Sequence, residues 1–245
     1  MADQTRFDKA LRQCKQIGQE HLLAFYSQLD ARQQDALLGQ IEKLDFGRIP
    51  EWVERYVKHD GMIAIPTSFE PAPSYPAQPK TAAQKDKYAK ARQLGETLLR
   101  QGKAAGFVVA GGQGTRLGFD GPKGNYPTSP IKKKTLFTIF GESILAASKR
   151  YHVDIPWYVM TSPLNYQATV DSFEKAGYFG LKKSNVVIFV QGTMPNFAFD
   201  GKIFLADKGT LATSPDGHGG SLKALADSGA LADMKRRGIE YLSYW

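Results

Sequence analysis

The stretch from residue 104 to residue 124 constrains this chain more than any other. A short apolar run at 104–110 (AAGFVVA) passes directly into GGQGTRLGFDGPKG at 111–124. The run reads as a buried strand, since unbroken apolar sequence suits a strand covered on both faces. The fourteen residues after it hold six glycines, and Gly121-Pro122 bars an immediate helix. Two standard phosphate loops fail here. A P-loop requires GxxxxGK[ST], but the segment's lysine, Lys123, stands between Pro122 and Gly124. A dinucleotide fingerprint requires GxGxxG. Gly112 and Gly114 fit it, whereas Leu117 holds the third glycine's place and Gly118 comes one residue late.

The loop's chemistry is still legible. Gly111 and Gly112 remove side chains at the strand end, which lets a flat ligand approach the backbone. Arg116 and Lys123 bring a guanidinium fork and an ammonium to the same loop, and both suit phosphate oxygens. A base carrying a polyphosphate fits this pattern. So does a tight surface loop with two solvated cations, and residue logic alone leaves both open.

The net charge of +8 is concentrated, because residues 101–150 hold eight Lys or Arg against two Asp or Glu. A local cationic patch suits an anionic ligand. Lys132-Lys133-Lys134 is a basic run without a zinc finger or an RNP aromatic motif, so nucleic acid is not an expected partner. No stretch approaches the about 18 uninterrupted apolar residues of a membrane span. The N-terminal residues lack the apolar segment of a secretory signal. The lone Cys14 can form no internal disulfide, so a reducing, cytoplasmic setting without a membrane partner is expected.

Periodicity predicts an N-terminal helical region over 1–60, a proline-rich connector over 61–81 and an α/β domain over 82–245. Helices are expected at 4–28, at 30–44 behind a capping Asp30, after Pro50, and at 82–101. Pro66, Pro71, Pro73, Pro76 and Pro79 mark the connector as extended. After the strand at 104–110 come a helix at 135–151, a strand at 156–161, a helix at 164–176 and a strand at 185–191. A small hairpin at 203–206 and 210–213, helices at 220–227 and 230–237, and a strand from Ile239 that reads as central complete the pattern. Strands separated by helices predict a mostly parallel sheet with helices on both faces. Ligands of such sheets sit beyond the carboxyl ends of the strands.

GGQGTRLG followed by PKG resembles the signature of the uridylyltransferases that make UDP-sugars, above all the UDP-N-acetylhexosamine pyrophosphorylases. The likeness continues in order through KTLF at 134–137, WYVMTS at 157–162, Phe179-Gly180-Leu181, the segment 185–191 with its QG turn, FDGKI at 199–203 and PDGHGG at 215–220. The resemblance implies a nucleotide-diphospho-sugar transferase fold, a Rossmann-like α/β/α sandwich with an N-terminal helical region. It implies that UTP and a sugar 1-phosphate, foremost N-acetylglucosamine 1-phosphate, give UDP-sugar and pyrophosphate. It also implies residue roles. Ala110, Gly111 and Gly112 hold the uracil and ribose end, while Arg116 and Lys123 hold the triphosphate and stabilise the leaving pyrophosphate as the catalytic cations. Gln191 reads the uracil edge with an amide that both donates and accepts. Gly217 lets backbone meet the base, and His218 lies near the ribose and phosphate. By residue type alone Gln191 is a strand-end cap, His218 and Asp216 are turn residues, and Trp157 and Met160 are strand core.

Some positions depart from the pattern. Val109 stands where the acetylhexosamine branch commonly has leucine. His218 stands where it usually has asparagine, and glucose-type and broad-range relatives often have histidine there. Asp216 and Gly220 look like the acetylhexosamine branch. The alternatives are therefore a glucose-type or broad-range UDP-sugar pyrophosphorylase, or a non-catalytic nucleotide-binding fragment. Family members continue past this point, and their Mg²⁺-holding aspartate follows in a later motif. The magnesium ligand is accordingly expected beyond residue 245, and the chain is expected to be a truncation, a proteolytic fragment or the product of a premature stop that binds uridine nucleotides weakly at best and does not turn over.

Overall fold

The computed structural model describes residues 4–59 and 65–245. Helix α1 (Gln4–Gln16) stops before Gly18, whose φ of 68° is left-handed, so the single helix expected over 4–28 divides into α1 and two short turns at Glu20–Leu23 and Tyr26–Gln28. Helix α2 (Ala31–Ile41) starts on Asp30, whose carboxylate accepts from the Gln33 N–H while the Gln33 side chain accepts from the Asp30 N–H. Helix α3 (Ile49–Trp52) has Pro50 in its first turn and runs into a π-helical stretch, Val53–Lys58. Helix α4 (Ala82–Arg100) is capped by Thr81 and Gln84 in the same reciprocal way. Residues 61–64 of the expected connector lie outside the described residues. Residues 65–80 form no helix or strand, and the Tyr88 hydroxyl donates to the Pro76 carbonyl at 2.6 Å, which ties the connector's second half to α4.

The chain continues through β1 (Ala104–Val109), α5 (Leu136–Tyr151), β2 (Trp157–Thr161), α6 (Tyr166–Lys175) and β3 (Val186–Val190). Four short strands follow: β4 (Thr193–Pro195), β5 (Leu205–Asp207), β6 (Thr210–Leu211) and β7 (Thr213–Pro215). Then come α7 (Ser221–Asp227), α8 (Ala230–Arg236) and β8 (Tyr241–Tyr244).

These elements form two compact units. The first joins Met1–Pro71 to Thr193–Ser214. The sequence places all of 82–245 in one α/β domain, whereas residues 193–214 group with the N-terminal residues in the structure. The β5–β6 hairpin is too small to bury its own apolar residues, and Ile203 and Leu211 pack instead with Leu22, Leu37, Leu38, Ile41 and Ile49. Gln19, almost fully buried, completes the joint: its Nε2 donates to the Gly201 carbonyl at 2.8 Å and its Oε1 accepts from the Ile203 N–H at 2.9 Å. Cys14 lies in the same core, and burial pushes its thiol up to about 11.

The second unit, Ala72–Gly192 with Pro215–Trp245, is built on a four-stranded parallel sheet in the order β3-β2-β1-β8. Successive strand residues alternate between its faces. Phe107, Tyr158, Met160 and Phe189 pack with Ala224, Leu225 and Met234 of α7 and α8. Val108, Trp157 and Val159 pack with Phe137, Ile144 and Phe173 of α5 and α6. The result is the expected α/β/α sandwich. Strand β8 differs from the expectation of a central strand: among the described residues it is an edge, paired with β1 alone, and all four of its residues are exposed. Ile203→Ala should lower the unfolding free energy by about 2–5 kcal/mol in urea denaturation, the range for a buried large-to-small change. Phe199→Ala in the same segment, 97% exposed, should change it by less than about 0.5 kcal/mol.

Candidate functional site

The site begins where β1 ends. The Ala110 N–H donates to the Met160 carbonyl at 2.6 Å, one residue past the strand. Asn165, fully buried, then fastens the loop: its Nδ2 donates to the carbonyls of Ala110 at 2.9 Å and Gly112 at 3.3 Å. Its Oδ1 accepts from the Ser162 N–H at 2.9 Å and the Ser162 hydroxyl at 3.0 Å. The glycine segment folds back on itself, with the Lys123 N–H donating to the Gly112 carbonyl at 3.0 Å and the Gly114 N–H to the Gly121 carbonyl at 2.9 Å.

A cavity of about 410 Å³ opens beyond the carboxyl ends of β1 and β3. Ala110, Gly111, Gly112, Lys123, Gln191, Gly217 and His218 all line it. The structure thus gathers seven of the eight residues singled out from the sequence. Arg116 is the exception. It stands exposed on the short turn Thr115–Leu117 outside the cavity lining, and among the described residues its guanidinium makes no ion pair.

The geometry explains several residue choices. A Cβ on Gly111 would collide with Gln191 Oε1, so no larger residue fits there without displacing the amide. The Lys123 Nζ lies 3.7 Å from where a Cβ on Gly112 would stand, which lays the ammonium along the loop backbone. Gln191 is 6% exposed, and its N–H donates to the Thr161 carbonyl at 2.8 Å, extending the β2–β3 ladder past the end of β3. His218 Nδ1 lies 2.6 Å from the Tyr244 hydroxyl of β8. Leu136, Phe137 and Phe140 at the start of α5 form an apolar wall, and the lining contains no carboxylate. An amide, an imidazole and an ammonium therefore converge on an apolar cleft, an arrangement that takes a flat body with an anionic tail. Among the described residues no group of three His, Cys, Asp or Glu could hold a metal ion.

Sequence reasoning missed Asn165, Tyr244 and Phe140. Asn165 occupies the N-cap position of α6 without capping it, so its likeness to a helix cap concealed its bonds to the loop. Tyr244 and Phe140 look like ordinary strand and helix aromatics, and no local signal distinguishes them.

The model of the UTP–glucose-1-phosphate uridylyltransferase family matches residues 68–243. The chain belongs to that family. It is similar to UDP-N-acetylglucosamine diphosphorylase 2 of Arabidopsis thaliana, with 35% identity over 239 residues covering 93% of this chain and 47% of the relative. It is also similar to the UDP-N-acetylhexosamine pyrophosphorylase-like protein 1 of Xenopus tropicalis, with 36% identity over 242 residues covering 94% and 47%. The crystal structure of the uridine diphosphate N-acetylglucosamine pyrophosphorylase from Trypanosoma brucei in complex with inhibitor shares the fold, with a TM-score of 0.74 at 24% identity over 98% of this chain and 50% of that one. The chain spans about half the length of these family relatives.

Asn165→Ala leaves the Ala110 and Gly112 carbonyls and the Ser162 N–H without this partner. Unfolding free energy should fall by about 1–3 kcal/mol, the cost of stranding buried polar groups. Hydrogen exchange should speed up across residues 110–114 before the rest of the sheet.

Proposed function

We propose that this chain binds UTP at the carboxyl end of β1 and forms the nucleotide half of a uridylyltransferase. The carrying observation is the convergence of bare backbone at Gly111 and Gly112, the Gln191 amide and the Lys123 ammonium on one cleft that no carboxylate lines. Uracil lies along Ala110–Gly112 with its edge toward Gln191, while backbone at Gly217 and the His218 ring stand on the ribose side. Lys123 receives the triphosphate. Arg116, exposed on its turn and without an ion pair among the described residues, supplies a second cation from outside the cleft.

The reaction joins UTP to a sugar 1-phosphate. An oxygen of the sugar phosphate attacks the α-phosphorus, the bond from that phosphorus to the oxygen bridging to the β-phosphate breaks, and pyrophosphate carries the electron pair away. Such a displacement needs alignment and charge neutralisation and no side-chain nucleophile. The sugar is N-acetylglucosamine 1-phosphate, in keeping with the names of the relatives. His218 favours a glucose-type or broad-range second reading. Magnesium accompanies the triphosphate, but the described residues offer it no three-ligand cluster, and no step here runs through it. No helix among the described residues is long and apolar enough to cross a membrane, and a cytoplasmic setting belongs to the same proposal.

Calorimetric titration with UTP tests the reading. Lys123→Ala and Arg116→Ala should each weaken binding by about 1.5–3 kcal/mol, the value of a charge-assisted hydrogen bond. Lys132→Ala, exposed and outside the lining, should leave affinity unchanged. Unaltered affinity in both loop variants overturns the phosphate assignment. Pyrophosphate release from UTP and a panel of sugar 1-phosphates separates a working enzyme from a nucleotide-binding fragment.

A further inference from the structure

Asp216 lies just behind the cleft, between two residues that line it, Pro215 and Gly217. Its N–H donates to the Gly192 carbonyl at 3.1 Å. Its carboxylate occupies a slot that only glycines leave open, since a Cβ on Gly192 or on Gly220 would overlap it. Gln191 Nε2 stands 3.4 Å from Asp216 Oδ1, and among the described residues no other side chain donates to that carboxylate.

We propose that Asp216 is a positioning residue that fixes which way the Gln191 amide faces, and that the cleft thereby selects uracil over cytosine. The inference rests on the nucleotide reading above. A carboxylate offers only acceptors, so it draws the amide's NH₂ toward itself. The amide oxygen is then turned the other way. Oε1 sits against Gly111 at the cleft, where a Cβ would collide with it, and it accepts from no described residue. The pyrimidine edge meets an acceptor there. Uracil presents N3–H, a donor, and cytosine presents a bare N3, an acceptor. The matched base gains a hydrogen bond, and the mismatched base sets two lone pairs against each other. Specificity of this kind comes from leaving the wrong ligand unpaired.

The test titrates the unaltered chain, Asp216→Asn and Gly220→Ala with UTP and with CTP, with thermal unfolding confirming that each is folded. The unaltered chain should prefer UTP. Asp216→Asn keeps the side chain's size but can donate to Gln191 Oε1, which lets the amide turn over, so the UTP-to-CTP preference should fall about tenfold, the scale of one hydrogen bond. Gly220→Ala displaces the carboxylate without altering it and should shift the preference the same way, so it decides the matter if Asp216→Asn does not fold. A merely structural role would weaken both nucleotides alike, and that result, or an unchanged ratio, overturns the proposal while leaving the nucleotide reading intact. If the unaltered chain binds neither nucleotide, the nucleotide reading itself fails and the inference falls with it.

Discussion

One buried side chain fastens the working end of the sheet. The Asn165 amide gives its hydrogens to the Ala110 and Gly112 carbonyls and takes two bonds on its oxygen from Ser162. Every polar atom of that amide is engaged, the condition under which a buried polar group stabilises instead of costing. The glycine loop could otherwise wander, because glycine restrains the backbone so little. Pinned to the segment after β2, the backbone at Gly111 is kept against the Gln191 amide beyond β3. The cleft is therefore a product of three strand ends registered against one another, and the parallel pairing of β1, β2 and β3 supplies that register.

Charge is distributed around this frame with a consistent sign. Asp216 stands outside the lining and accepts from the Gln191 amide, while Lys123 lines the cleft without a counter-ion among the described residues. An unpaired ammonium beside bare backbone favours an anionic ligand. The apolar wall on the α5 side is stiffened by aromatic packing: Phe140 stacks on Trp245 with centroids 5.0 Å apart, and Phe137 meets Phe173 at 5.0 Å.

Much of the architecture was legible because its signals are local. Asp30 caps the helix that follows it, and 104–110, 156–161 and 185–191 became β1, β2 and β3. Continuous apolar runs bounded by glycine, proline or serine suffice for such assignments. Other features were hidden. The helix expected over 4–28 depended on a pattern that Gly18 interrupts. The segment 193–214 looks continuous with the α/β domain, and its packing with the N-terminal helices follows from partners about 180 positions away in sequence, as between Gln19 and Ile203. Of the eight residues singled out, Arg116 alone lies outside the cleft, because the loop that carries it folds back upon itself and turns the guanidinium to solvent.

The amino-acid order by itself determined the strand–glycine loop, the Asp30 helix cap, the succession of strands and helices and the family signature. Each is written within a few neighbouring residues, where backbone preference and periodicity act. Tertiary structure alone decided that Asn165 serves the glycine loop 53 and 55 positions earlier, that Gln191 faces Asp216 25 positions on, and that Ile203 and Leu211 join the helical core. Those pairings depend on which surfaces meet once the sheet has formed, and the geometry of that meeting is a property of packing that no short stretch of chain encodes.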